Sequence, residues 1–121
     1  MIYVVNKYKH QQTTYDVYIG RGSALGNPYS HKFGGLEQFI VKTREDAILM
    51  YRKHLASSVL DGNMEVINEL RNIAFKAKSS IVYCVCFCKP ASCHGDVIVE
   101  YCDRILSGTL TNQWLLFQKN L

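Results

Sequence analysis

Ser80-Ile81-Val82-Tyr83-Cys84-Val85-Cys86-Phe87-Cys88-Lys89-Pro90-Ala91-Ser92-Cys93-His94-Gly95-Asp96-Val97-Ile98-Val99-Glu100-Tyr101-Cys102 is the stretch whose reading decides the fold. Its first residues are β-rich, and from Val97 onward the apolar residues take helical spacing. Between them lie a turn at Lys89-Pro90 and what reads as the first turn of a helix. All five cysteines fall within this stretch, four of them in the ten residues from Cys84 to Cys93, followed directly by His94-Gly95-Asp96. A strand that turns into a helix is where α/β proteins place ligands, because the strand end and the helix N-terminus converge there.

Upstream, Ile2-Tyr3-Val4-Val5 and Tyr15-Asp16-Val17-Tyr18-Ile19 read as strands, joined by a polar connection from Lys7 to Thr14. Gly20 to Gly35 holds five glycines and one proline without periodicity, a long loop of the kind that usually carries function. Thr43 caps a helix with Ala47, Met50, Tyr51 and Leu55 on one face. Gly62 breaks it, and Asn63 caps a second helix carrying Val66, Ile67, Leu70 and Ile73. The helix after His94 runs to about Leu106 and stops at Gly108. The tail contains Trp114-Leu115-Leu116-Phe117, which fits either a short strand or a helix. The order β-β-α-α-β-α predicts a small α/β sandwich with a partly parallel sheet. If the strands before Gly20 and Cys88 are parallel neighbours, their two loops meet over one crevice.

At 121 residues the chain is one domain, 1–121, large enough for a core without covalent staples. A 48% apolar content and a mean hydropathy of −0.06 describe an ordinary globule. No window approaches a membrane span, and the N-terminus lacks an export signal, so a cytoplasmic location with reduced thiols is expected. The net charge of +4 is spread out, with only Lys76-Ala77-Lys78 forming a cluster. That favours a small phosphate-containing ligand as partner over a dedicated nucleic-acid surface.

In the first loop, Gly20-Arg21-Gly22-Ser23-Ala24-Leu25-Gly26-Asn27-Pro28 sets an arginine among glycines just past a strand. Glycine lets backbone N–H groups approach a phosphate, and arginine can bind its oxygens bidentately. The spacing departs from the dinucleotide fingerprint. Gly20, Arg21, Gly22 and Ser23 are therefore candidates to cradle phosphate, and Asn27 to orient a ligand from a rigid Asn-Pro turn. The opposing interpretation is a turn-rich connection with a solvated arginine.

Three readings of the cysteine cluster compete. As a metal site, Cys86, Cys88, Cys93 and His94 would hold zinc. Alternate strand residues lie about 6.5–7 Å apart on one face, which puts Cys84 and Cys88 roughly 13 Å apart, too far for one ion. Convergence of the other four requires the strand to end near Cys86. As a catalytic site, Cys93 or His94 would sit at a helix N-terminus, where a thiolate or a bound anion is stabilised. His94 would serve as acid or base, with Asp96 as its partner and Gly95 offering an N–H. As packing, Cys84, Cys86 and Cys102 are small core hydrophobes, while His10, His31 and His54 are surface residues.

With these residues in view, the chain resembles the family known as domain of unknown function 4326, found in prokaryotes and their phages. Val4-Val5-Asn6-Lys7 is similar to its opening strand and Tyr15 to Tyr29 to its first signature. Thr43 to Arg52 resembles its central helix and Cys86 to Ile98 its second signature; the tail after Gly108 lies outside the match. The resemblance implies a small Rossmann-like fold, with three or four mostly parallel strands and helices packed on the sheet. It picks out Arg21, Asn27, Cys86, Cys88, Cys93, His94 and Asp96. The family carries no assigned activity, so the resemblance sharpens the site and not the function; phage occurrence suggests, by analogy, nucleotide metabolism, DNA modification or interference with host defence. The leading expectation is a protein binding a nucleotide or a phosphate-containing derivative, with hydrolase or transferase chemistry at a phosphoester or N-glycosidic bond. The rivals are a non-enzymatic zinc-stabilised binding module, with nucleic acid as its partner, and a phage-encoded inhibitor using the exposed apolar tail.

Overall fold

The computed structural model describes residues 1–30, 39–89, 91 and 93–121. Its centre is a three-stranded parallel sheet in which β5 (Val82–Cys86) lies between β1 (Ile2–Asn6) and β2 (Asp16–Tyr18). Val4 faces Cys84 in one register and Val17 faces it in the other. A second, small parallel pair joins β3 (Tyr29–Ser30) to β4 (Phe39–Ile40), two short strands that the sequence pattern does not show. The helices are α1 (Arg44–Leu60), α2 (Met64–Ala77), α3 (His94–Ser107) and α4 (Asn112–Lys119). The expectation of a mixed α/β fold holds. Of the expected surface histidines, His54 is exposed, His10 is half-buried, and His31 lies outside the described residues, as does Pro90 of the expected turn.

Local chemistry accounts for the helix starts. The Thr43 hydroxyl accepts from the Asp46 amide and the Asn63 side chain from the Val66 amide, each satisfying a donor that the first turn cannot pair internally. The tail is helical because Thr111 caps it in the same way, accepting from Trp114 N–H. That helix docks on the body of the protein through buried Leu115 and Gln118. Trp114 meets the Tyr101 ring edge-on at 5.0 Å, with the Arg104 guanidinium 4.1 Å from its centroid. Leu116 and Phe117 stay exposed.

The sheet has two different faces because side chains alternate along each strand. Val82, Cys84 and Cys86 enter the core with Tyr51, Leu55, Leu70, Ile73, Ile98 and Tyr101 of the helices. Tyr83 points the other way, and there the connection from β1 to β2 recrosses the sheet. His10 lies over the Tyr83 ring at 4.6 Å and reaches Asp16 at 3.0 Å. Burial works to raise the Asp16 pKa, and hydrogen bonds from Thr13 and His10 overcome it and hold the carboxyl below its usual value.

Helix α1 shows little separation of polar and apolar faces, since it is hemmed in by β3, α2, α3 and α4. The α3 start is pressed onto the sheet at Gly95. A Cβ there would lie 2.7 Å from Val4 Cγ1 and 3.0 Å from Ile19 Cδ1, too close for either to remain in place. We therefore expect Gly95→Ala to cost about 1–2 kcal/mol, overpacking outweighing alanine's helical preference. Thermal denaturation of the variant checks this, and an unchanged midpoint would contradict the packing.

Candidate functional site: a basic, thiol-lined cleft

Because β2 and β5 are parallel neighbours, the chain leaves both at the same end of the sheet. The two loops, with the first turns of α1 and α3, enclose a cleft of about 350 Å³, within the size range of small-molecule sites. Arg21, Arg44, His94 and three cysteines line it, and Tyr18, Tyr29 and Phe87 lie around them. Among the described residues no Asp or Glu lines it, and the charged side chains that do are Arg21 and Arg44.

The loop after β2 is shaped by its own backbone. Ser23 Oγ and Ser23 N both donate to Gly20 O, at 2.6 and 3.1 Å, closing a tight turn. Gly22 sits in that turn at φ +91°, a conformation that disfavours side chains. Gly20 tucks under the Tyr18 ring, whose hydroxyl donates to Arg21 O at 3.0 Å. Gly20 and Arg21 line the cleft; Gly22 and Ser23 do not. The Arg21 guanidinium reaches Tyr29 O at 3.4 Å. Asn27 lines the cleft too, but both ends of its amide are engaged by the protein. Its Nδ2 donates to Ala47 O at 3.2 Å and its Oδ1 accepts from Tyr29 N at 2.9 Å. Together with Tyr51 Oη donating to Leu25 O at 2.7 Å, this staples the loop to α1.

Strand β5 ends at Cys86, which satisfies the condition for the cysteines to converge. The sulfurs of Cys86, Cys88 and Cys93 all lie within 4.8 Å of one another, and those of Cys86 and Cys93 are 3.5 Å apart. Asn6, at the end of β1, holds the turn that carries Cys88: its Nδ2 donates to Phe87 O at 3.2 Å and Lys89 O at 2.7 Å. Cys93 is the N-cap of α3, its sulfur accepting from Gly95 N at 3.3 Å. The three thiols share their protons unequally. Hydrogen bonds from Cys86 and Cys93, and then from Arg44, hold the Cys88 thiol well below its ordinary pKa. The same contacts raise Cys93, with burial adding to them. Cys84, in the core, is pushed up to about 12 by burial, and Cys102 is raised for the same reason.

His94 is buried and lines the cleft, but its Nε2 is 2.6 Å from Ile19 O. A carbonyl only accepts, so Nε2 carries the proton. Burial lowers the His94 pKa, leaving a neutral ring whose Nδ1 holds the lone pair. The Tyr51 ring meets it edge-on at 5.0 Å. His94 is not among the atoms that cluster with the three sulfurs. Asp96 lies outside the cleft lining. Its Oδ2 accepts from Cys93 N at 3.3 Å in a capping box, and its Oδ1 takes the Lys89 ammonium at 2.7 Å. Gly95 likewise faces Val4 and Ile19, not the cleft.

The structure thus gathers Gly20, Arg21, Asn27, Cys86, Cys88, Cys93 and His94 around one cavity, and leaves Gly22, Ser23, Gly95 and Asp96 as its scaffold. Sequence reasoning missed Arg44, Asn6 and the aromatic rim. Arg44 did carry a signal, a cation in the first turn of a helix where the macrodipole disfavours one. Asn6 carried none, since its partners lie more than eighty residues away.

The chain belongs to the family described as Domain of unknown function (DUF4326), whose model matches residues 4–104. It is 33% identical over 104 residues to the "Uncharacterized 12.4 kDa protein in nrdA-td intergenic region" of Enterobacteria phage T4, covering 84% of this chain and 78% of the phage protein. No solved structure matches. The matched region contains every cleft residue and leaves out α4.

The proton distribution has a measurable consequence. In protein kept reduced with a chelator present, Cys88 is expected to be alkylated by iodoacetamide first, at a rate that stays nearly flat as pH falls from 8 to about 6, because its thiolate persists below the ordinary thiol pKa. Cys84 and Cys102 should stay unmodified until unfolding. Peptide mapping by mass spectrometry checks the order; Cys88 reacting no faster than the buried cysteines would contradict it.

Proposed function

We propose that this protein binds a nucleotide, or a phosphate-containing nucleotide derivative, in the cleft between the β2 and β5 loops. The observation that carries the proposal is that Arg21 and Arg44, from two different elements, line one cleft together with the first turns of two helices. Two guanidinium groups suit phosphate oxygens bidentately. The first turns of α1 and α3 add the positive ends of two helix dipoles.

The rim supports a base on that phosphate. Tyr18 and Phe87 line the cleft with 42% and 44% of their surface still exposed, their centroids 6.2 Å apart. Lys7 Nζ lies 6.0 Å from the first ring and 5.7 Å from the second, a further cation at the mouth. Exposed rings beside a cationic pocket offer a π-face to a base and charge to its phosphate. The small Rossmann-like architecture implied by the family resemblance is consistent with a ligand at the strand C-termini.

The reaction class that accompanies these groups is hydrolysis or group transfer at a phosphoester or N-glycosidic bond. His94 is the one imidazole lining the cleft among the described residues, and its neutral ring with a free Nδ1 lone pair suits it to act as the base. Asp96, tied up in its capping box, takes no part in this step.

Calorimetric titration tests the reading with nucleoside monophosphates carrying each common base, and with inorganic phosphate and the parent nucleosides as partial ligands. Arg21→Ala and Arg44→Ala should each weaken nucleotide binding about 10- to 100-fold, the loss of a charge-assisted hydrogen bond. Phe87→Ala should weaken nucleotide binding about 5- to 100-fold, the loss of one base-stacking contact, and leave phosphate binding unchanged. Binding that is indifferent to both arginines, in variants with unchanged melting, would overturn the proposal.

A further inference from the structure

We propose that Cys86, Cys88 and Cys93 form a zinc site whose fourth coordination position opens into the cleft. The first support is distance. Around a tetrahedral zinc with Zn–S bonds of about 2.3 Å, sulfurs stand about 3.8 Å apart. Cys86 and Cys93 are at 3.5 Å, and all three sulfurs fall within 4.8 Å, so side-chain adjustments of an ångström or less bring them onto one ion.

The second support is how the ligands are held. They come from three different local structures: a strand end, a turn and a helix N-cap. Lys7 N donates to Cys86 O at 2.8 Å, which fixes the strand end against β1. Asn6 holds the carbonyls of Phe87 and Lys89, the residues on either side of Cys88. The Asp96 carboxylate ties Cys93 N to Lys89, closing the turn from the other side. The backbone around each sulfur is therefore fixed by groups that are not themselves ligands, the arrangement that presents a metal with a ready-made site. Cys84 and Cys102 share the core with Cys86 and Cys93 but lie outside the group of three sulfurs, the Cys102 thiol donating instead to Leu70 O at 3.7 Å.

The third support is charge. Three thiolates and a divalent ion leave one net negative charge, which the surroundings balance. Arg44 lies against Cys88, and Gly95 N–H points at the Cys93 sulfur from the positive end of α3. An all-sulfur donor set selects zinc over magnesium or calcium, which take oxygen ligands. Among the described residues no fourth Cys, His, Asp or Glu atom joins the cluster. The fourth position is left for water or for a donor atom of the bound ligand, the open coordination that separates reactive zinc sites from closed structural ones. His94 stays outside the coordination sphere, its Nε2 held by Ile19 O.

Zinc alone tests this, independently of whether a nucleotide binds. Untagged protein purified under reducing conditions without added zinc should carry one equivalent by elemental analysis, and the chelator-stripped protein should take one up on titration. Cys88→Ala replaces a half-buried residue on the turn and should fold yet lose the metal, while Cys84→Ala should keep it; circular dichroism verifies folding of both. X-ray absorption at the zinc edge, which needs no variant, should count three sulfurs and one lighter atom. Folded wild-type protein that takes up no zinc, a sulfur count other than three, native protein carrying copper or iron instead, or full zinc retention in Cys88→Ala would overturn the proposal.

Discussion

Everything at the cleft depends on how the first turn of α3 meets the end of β2. The His94 Nε2–H···O=C bond to Ile19 joins the two elements directly, and Gly95 lets the helix backbone come within contact of Val4 and Ile19. A side chain at Gly95 would meet the Val4 and Ile19 side chains at 2.7 and 3.0 Å and force them to shift. Loss of the His94 bond would leave a buried carbonyl unpaired, at a cost of about 1–3 kcal/mol. With both in place, the N-cap Cys93 is brought beside Cys86 at the end of the neighbouring strand, and the loop bearing Arg21 faces the turn bearing Cys88.

That constraint divides the residues of the two loop motifs into two kinds by physical role. Asn27, Ser23, Gly22, Gly95 and Asp96 spend their hydrogen bonds or their small size on the shape of the loops. Arg21, Arg44, Cys88 and His94 line the space those loops enclose. Polar residues of the first kind are as demanding of their type as those of the second. Asp96 illustrates it. An acid next to His94 reads as half of a catalytic pair, yet its two oxygens close a capping box and hold Lys89.

Much of this architecture was legible from short-range chemistry. The caps at Thr43 and Asn63, the stop at Gly108 and the strand–turn–helix reading of Val82 to Cys102 are all local signals, and the structure follows them. The meeting of the two loops was legible only conditionally, because it depends on β2 and β5 being parallel neighbours, and strand order is a long-range property. The convergence of the cysteines was conditional in the same way: one residue more of strand would have carried Cys88 away from Cys93. Residues whose roles depend wholly on distant partners did not show. Asn6 reads as the end of a strand until the β5–α3 turn lies against it. Arg44 reads as helix surface until Cys88 stands beside it and Arg21 lines the same cleft. The short β3–β4 pair lacks the length at which alternation becomes readable.

The account's central claim is that the loops after β2 and β5 form a single ligand site. Backbone amide chemical shifts recorded by NMR during titration with a nucleoside monophosphate test it most directly. The account predicts that the largest perturbations fall together on Gly20, Arg21, Arg44, Cys88 and His94, while α4 and the exposed end of α2 stay silent. Perturbations confined to one of the two loops, or centred on a surface away from both, would contradict it.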